Sequence, residues 1–175
     1  KTFLQDSTHV EGNTAWPTDS RLMVDLVSRM IRVGEGLERV NLSPFDCARL
    51  RKHLRKMVRL NQEIELSQGK RDGKRTRRRR YEKLLRISKR VHALLAPKVV
   101  KLAKEAKALD VRPSRKAIAE RAVERLRADL DALRKVSVAC EARILEEKKV
   151  PMSEKVLSIS DPDAGFISKG QREPV

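Results

Sequence analysis

KTFLQDSTHVEGN, residues 1–13, sets a carboxylate inside an extended pattern. Phe3, Leu4 and Val10 suit a partly buried strand over residues 2–12, and Ser7 and Thr8 are compatible with one. Asp6 is not, because an ionised carboxylate in an apolar strand is costly to bury unless it is paired or holds a cation. Oxygen ligands suit Mg2+ and Mn2+, and two such ions can clamp the attacking and leaving oxygens of a phosphodiester. The competing reading of Asp6 is a solvent-facing carboxylate on an edge strand or turn. Glu11 points away from Asp6 under ideal strand alternation, and a salt bridge or solvated side chain accounts for it.

The second constellation is cationic. In SQGKRDGKRTRRRR, residues 67–80, Lys70, Arg71, Lys74, Arg75, Arg77, Arg78, Arg79 and Arg80 stand against the single Asp72. Gly69 and Gly73 mark the segment as a loop or frayed link. Its density suits phosphate. Neutralising about seven phosphates gives a log–log salt slope near −6 on duplex DNA. Such contacts position nucleic acid without reading bases. The plainer reading is a solvated linker. The basic residues from Arg49 to Arg59 and from Arg86 to Arg90 are expected to extend the same surface.

The remaining polar residues ask for less. His9, His53 and His92 have neither ligand spacing nor a nucleophile partner and read as ordinary histidines. Cys47 and Cys140 fall at apolar positions of helical patterns, and no CxxC or Cys/His cluster argues for zinc. They read as small buried side chains in a reducing cytosol. Asp161 and Asp163, in Asp-Pro-Asp-Ala-Gly, read as turn residues, and Asp19 and Ser20 as helix caps. There is no Gly-rich phosphate loop and no Ser or Cys nucleophile motif.

The elements that carry these residues follow from periodicity. The chain has 175 residues, a net charge of +17, 37% charged residues and only 3% aromatics, which suits long helices. Leu22, Met23, Leu26, Val27, Met30 and Ile31 form one apolar helical face over about 19–36. Cys47, Leu50, Leu54, Met57, Asn61 and Ile64 repeat at three and four over about 45–68, with Asn61 as a polar, register-setting candidate. Leu84, Ile87, Val91, Leu94, Leu95, Val99 and Leu102 define a third helix over about 76–109, which Pro97 kinks or divides. Ala119, Val123, Leu126, Leu130, Leu133, Ser137, Cys140 and Ile144 define a fourth over about 115–149. After Val150-Pro151, two short extended pieces flank the Asp161–Gly165 turn. The expected organisation is a strand at 1–14, a basic helical insertion at 15–149 packed as an antiparallel hairpin or small coiled bundle, and a return to the sheet at 150–175. With Lys1 in first place, the chain reads as a fragment of a longer protein. No apolar run reaches the ~18 residues of a membrane span.

QDSTHVEGNTAWPTDSRL and SISDPDAGFISKG resemble two ordered motifs of bacterial insertion-sequence transposases of the DDE class. In that family a D-[ST]-T-x-V-E strand leads into a PTDS turn and a helix. An S-x-x-D-P-[DE]-A segment resumes the sheet after a basic helical stretch. The resemblance covers roughly the first 30 and last 20 residues, with a middle alike only in character. It implies a mostly α fragment, its long antiparallel basic helices inserted between strands of an α/β ribonuclease-H-like catalytic domain. It implies metal-dependent DNA cleavage and strand transfer, with Asp6 as the first of three carboxylates that hold two Mg2+ or Mn2+ ions. No second Asp or Glu of the set is found, so the fragment alone is expected to be inactive. The implied partner is transposon-end and target DNA, with no membrane; a second copy of the chain is a further candidate partner, and the sequence leaves dimerisation of the helices open. The implied location is the cytoplasm of a bacterium, at the nucleoid.

Two other classes compete. A non-catalytic helical nucleic-acid-binding module accounts for the helices and the arginine run but gives no role to Asp6. A helical interaction protein accounts for the 3-4 seams and makes oligomeric state, not salt, the controlling variable.

Overall fold

The apolar stripes condense into four helices that cover one another. The computed structural model describes residues 19–42, 45–67 and 72–151. Within them α1 spans Asp19–Glu38, α2 Cys47–Glu65, α3 Gly73–Ala108 and α4 Pro113–Ile144. No strand occurs among the described residues. Asp6, His9 and Glu11, Lys70 and Arg71, and Asp161 and Asp163 lie outside them.

Each helix packs against its neighbour in sequence, and α1 closes the ring on α4. Cross-helix pairs fix the directions. Arg51 meets Glu35 at 2.5 Å, Arg80 meets Glu63 at 2.8 Å and Lys89 meets Glu141 at 2.8 Å. At the closing seam Asp19 pairs with Arg143 and Arg29 with Asp129, so α1 and α4 run antiparallel. The result is an up-down-up-down bundle, the arrangement short connections favour.

The core is aliphatic. Met23, Leu26 and Met30 of α1, Met57 and Ile64 of α2, Leu84, Leu95 and Leu102 of α3, and Leu126 and Leu133 of α4 are all but inaccessible. Each contributes about 1.5–3 kcal/mol of transfer free energy. Polar groups buried with this core have partners, Asp129 among them through Arg29. Ser137 donates to the Leu133 carbonyl at 2.7 Å, so its single proton is used, and Ser88 donates to Ser137 at 2.7 Å. Ser20 hydrogen-bonds the buried Tyr81 hydroxyl.

Several expected boundaries move. α1 continues through Gly34 and Gly36 to Glu38. Its end is set by Asn41 in the left-handed region (φ 62°), with Leu42 N–H returning to the Leu37 carbonyl and both leucines buried. That is a C-terminal cap with Asn in place of glycine. Gly34 has a different purpose: a Cβ there would lie 2.7 Å from the Phe45 ring. α2 opens on Asp46, whose carboxylate accepts the Arg49 N–H at 2.9 Å. Asn61 donates to Glu65 on its own helix, and its buried Oδ1 has no partner among the described residues, so it makes no register-setting bond there.

The loop expected over 67–80 is helical from Gly73 onward. Lys and Arg are good helix formers, and buried Tyr81, Leu84 and Leu85 anchor those turns in the core. Pro97 does not divide α3 either. It sits on the exposed face, where the Ala93 carbonyl it leaves unbonded can reach water. α4 stops at Ile144, not 149, and begins with Pro113 in its first turn, where the missing N–H loses nothing.

Candidate nucleic-acid interface

The charge is unevenly spread over the four helices. α3 carries fourteen Lys/Arg against Glu82 and Glu105 alone, and α2 carries six against Glu63 and Glu65. α1 has three arginines and four carboxylates, and α4 eight Lys/Arg and five carboxylates. The positive excess is therefore concentrated on α3, with smaller excesses on α2 and α4.

The expected cluster splits in two. Lys74 lies 3.2 Å from Glu147, and Arg78 lies 3.9 Å from the same carboxylate and 3.8 Å from Glu82. Arg78 also donates to the Leu145 carbonyl at 2.9 Å. Arg80 sits 2.8 Å from Glu63, an ion pair not aligned as a hydrogen bond, and Arg59 shares that carboxylate at 3.1 Å. Arg75 and Arg79 are exposed, Arg77 is half-buried, and none of the three has a carboxylate partner among the described residues.

Arg75 and Arg79 begin a longer feature. Arg75, Arg79, Lys83, Arg86 and Arg90 follow each other at spacings of four, four, three and four, all exposed and without ion-pair partners among the described residues. Spacings of three and four hold one helix face. At 1.5 Å per residue the stripe is about 22 Å long. Across the α2–α3 crease, Arg49, Lys52 and Lys56 are likewise exposed and unpaired among the described residues. His53 lies between the two rows. Partial burial, then the charges of Arg49, Lys56 and Arg90, holds its imidazole below the usual histidine range. Arg90 of α3 thus lies close enough to act on the same imidazole as Arg49 and Lys56 of α2, so the two rows approach each other at that end of the stripe.

Among the described residues no Phe, Tyr or Trp ring is exposed on this face: Tyr81 is buried and Phe45 half-buried at the α1–α2 end. The surface offers charge without a stacking platform, which suits a phosphate backbone better than unstacked bases. Other polar candidates contribute no chemistry here. Cys47 and Cys140 are buried free thiols, both pushed above the ordinary thiol range chiefly by burial, Cys47 to about 11. That is the opposite of an activated nucleophile. Among the described residues no group of three or more His, Cys, Asp or Glu side chains could hold a metal ion. Asp6 lies outside them, so no geometry follows for a two-ion site.

The 70–80 run stands out in the sequence by its density, whereas Lys83 lies outside the run and is not singled out by it. The available signal was the absence of any carboxylate between Glu82 and Glu105. Arg29 and Asp129 were missed as well. They lie one hundred residues apart, and no local pattern joins them.

No helix among the described residues is long and apolar enough to cross a membrane. No protein-family model, curated protein or solved structure matches the chain.

Proposed function

We propose that this chain is the helical DNA-gripping part of a DDE-class transposase, and that the α2–α3 face holds duplex phosphates. The observation that carries the binding reading is the unneutralised stripe from Arg75 to Arg90, which the Arg49–Lys56 row approaches at its Arg90 end. Engaging about five phosphates gives a log–log salt slope between about −4 and −5. The experiment is duplex binding by fluorescence anisotropy across a salt series. A flat salt response, or binding indifferent to charge reversal on the stripe, defeats the reading.

The catalytic half rests on the two terminal motifs, with support from the position of the bundle ends. Asp19 and Arg143 are ion-paired, so the chain enters α1 and leaves α4 at the same end of the bundle. An insertion between two strands of one ribonuclease-H-like sheet needs that arrangement. In this reading Asp6 is a catalytic metal ligand for Mg2+ or Mn2+, and the complete protein supplies the other two carboxylates. Asp6→Ala in the complete protein should abolish strand cleavage and leave DNA binding nearly intact. Wild-type cleavage by that variant would leave only the non-catalytic DNA-binding module. The helical interaction reading is less well supported, because the 3-4 seams of α2, α3 and α4 are largely consumed inside the bundle.

A further inference from the structure

A second basic feature lies at the end of the bundle where α3 starts and α4 finishes. A cleft of about 670 Å³ opens there, and its lining includes six cations and one carboxylate, Glu147. The cations are not equivalent. Lys74 and Arg78 already hold Glu147. Arg143 pairs with Asp19, and Lys148 with Glu146 at 2.8 Å. Arg77 and Lys149 line the cleft with no carboxylate partner among the described residues.

Glu147 is placed there by an unusual backbone. Its φ is 55°, in the left-handed region that L-residues rarely adopt. The Lys148 N–H returns to the Ala142 carbonyl at 3.0 Å, a wide closure that turns the chain after α4 back across the start of α3. Glu147, Glu82, Asp19 and Glu146 thus stand against six cations, and Arg77 and Lys149 are the two left without a carboxylate among the described residues. A phosphoryl group carries more charge and more acceptor oxygens than Glu147, and arginine forks fit it in a bidentate manner.

We infer that this cleft is a phosphoryl-anion site, in which a phosphate ester displaces Glu147 from Lys74 and Arg78 and engages Arg77 and Lys149. Glu147 acts as the internal competitor that keeps the cleft closed to weaker anions. The inference stands apart from the stripe on α3, which lies on the α2–α3 face and contributes none of the cleft's lining residues.

The test is a two-dimensional amide NMR titration of the chain with inorganic pyrophosphate, against sodium chloride at matched ionic strength. Pyrophosphate should move the amides of Arg77 and of residues 145–149 selectively. Glu147→Gln, a change at an exposed side chain, should tighten pyrophosphate several-fold by removing the competitor. Arg77→Gln with Lys149→Gln should weaken it about tenfold, while Arg86→Gln with Arg90→Gln leaves it unchanged. Equal shifts in chloride, or an unchanged affinity in Glu147→Gln, overturns the inference. A duplex arm then identifies the source of the phosphate. If Glu147→Gln also tightens a random-sequence duplex, the occupant is a nucleic-acid backbone. If pyrophosphate binds and the duplex leaves these amides unmoved, it is a free phosphate compound. Failure of duplex binding altogether counts against the proposed function and leaves the cleft standing on the pyrophosphate result.

Discussion

Arg29 on α1 and Asp129 on α4 meet through two side-chain hydrogen bonds, one of them 2.8 Å from Nε to Oδ2. The Asp129 side chain is 1% exposed and that of Arg29 28%. This asymmetry makes the two halves of the pair unequal. Removing Arg29 strands a carboxylate in the core, whereas removing Asp129 leaves a guanidinium that still reaches water. Arg29→Met should cost about 3–5 kcal/mol, and Asp129→Asn about 1–2 kcal/mol. Urea unfolding at pH 7 measures both. Equal losses would mean that the pair contributes through packing alone.

Arg86 separates binding from stability. It lies three residues after Lys83 and four before Arg90, so it is repelled on both sides of its own stripe. Like charges at these spacings each destabilise a helix by about 0.2–0.5 kcal/mol. Arg86→Glu should therefore raise the melting temperature slightly and weaken duplex binding. Arg86→Gln should lower the magnitude of the salt slope by about one. A variant that loses both stability and binding would place Arg86 in the fold, not at the interface.

His53 reports on the same face. Its folded pKa is depressed below the ordinary 6.5, by partial burial first and then by Arg49, Lys56 and Arg90. The unfolded chain therefore binds the proton more tightly. The stability this group contributes is present above pH 6.5 and is lost as pH falls through the folded value. Duplex phosphates beside it should reverse the shift, so binding takes up a proton and tightens as pH falls from about 7.5 to about 5.5. NMR titration of His53 with and without duplex reads this directly, and an unmoved imidazole would put the DNA elsewhere.

At alkaline pH the buried thiols and phenol set the limit. Cys140, Cys47 and Tyr81 are each pushed above their ordinary values, with burial the leading cause. Each favours its neutral, protonated form in the folded state. Their stabilisation is complete below the unfolded values, 9.0 for the thiols and 10.0 for Tyr81, and declines as pH rises from there toward the folded values. Thermal melts should fall from pH 9 upward (about half a unit either way), and Cys140→Ala should flatten that decline. An unchanged slope in the variant would exclude Cys140 as a contributor.

The two glycines of α1 should respond in opposite senses. A Cβ at Gly36 meets nothing within 4 Å, so Gly36→Ala should stabilise by about 0.5–1 kcal/mol through helix propensity. At Gly34 the same methyl group meets the Phe45 ring and the Cys47 sulfur, so the gain is cancelled or reversed. Stabilisation at both sites would show that the Phe45 ring moves aside freely.

The apolar faces were legible because they depend on spacing alone. Leu22, Met23, Leu26, Val27, Met30 and Ile31 are buried together as their periodicity requires, and so are Val123, Leu126, Leu130 and Leu133. The glycines misled because their reason is tertiary: Gly34 makes room for Phe45, a residue of the next connection. The arginine run was legible as charge but not as a surface. Which of its members stay available is decided by Glu63 on α2 and Glu147 after α4, and neither is near them in sequence. Asp6 and the terminal motifs lie beyond the described residues, so the catalytic expectation rests where sequence placed it.

The ring has one seam unlike the others. The α1–α2, α2–α3 and α3–α4 contacts join helices that follow one another, so each can form as a local hairpin with a short loop to close. The α1–α4 seam instead joins residues 100 to 124 positions apart, through Arg29–Asp129 and Arg143–Asp19. Loop-closure entropy is concentrated in that one event. The closing seam is therefore the step expected to limit assembly: the three hairpins are local, and the charged latch between the first and last helices is the contact whose closure the chain must wait for.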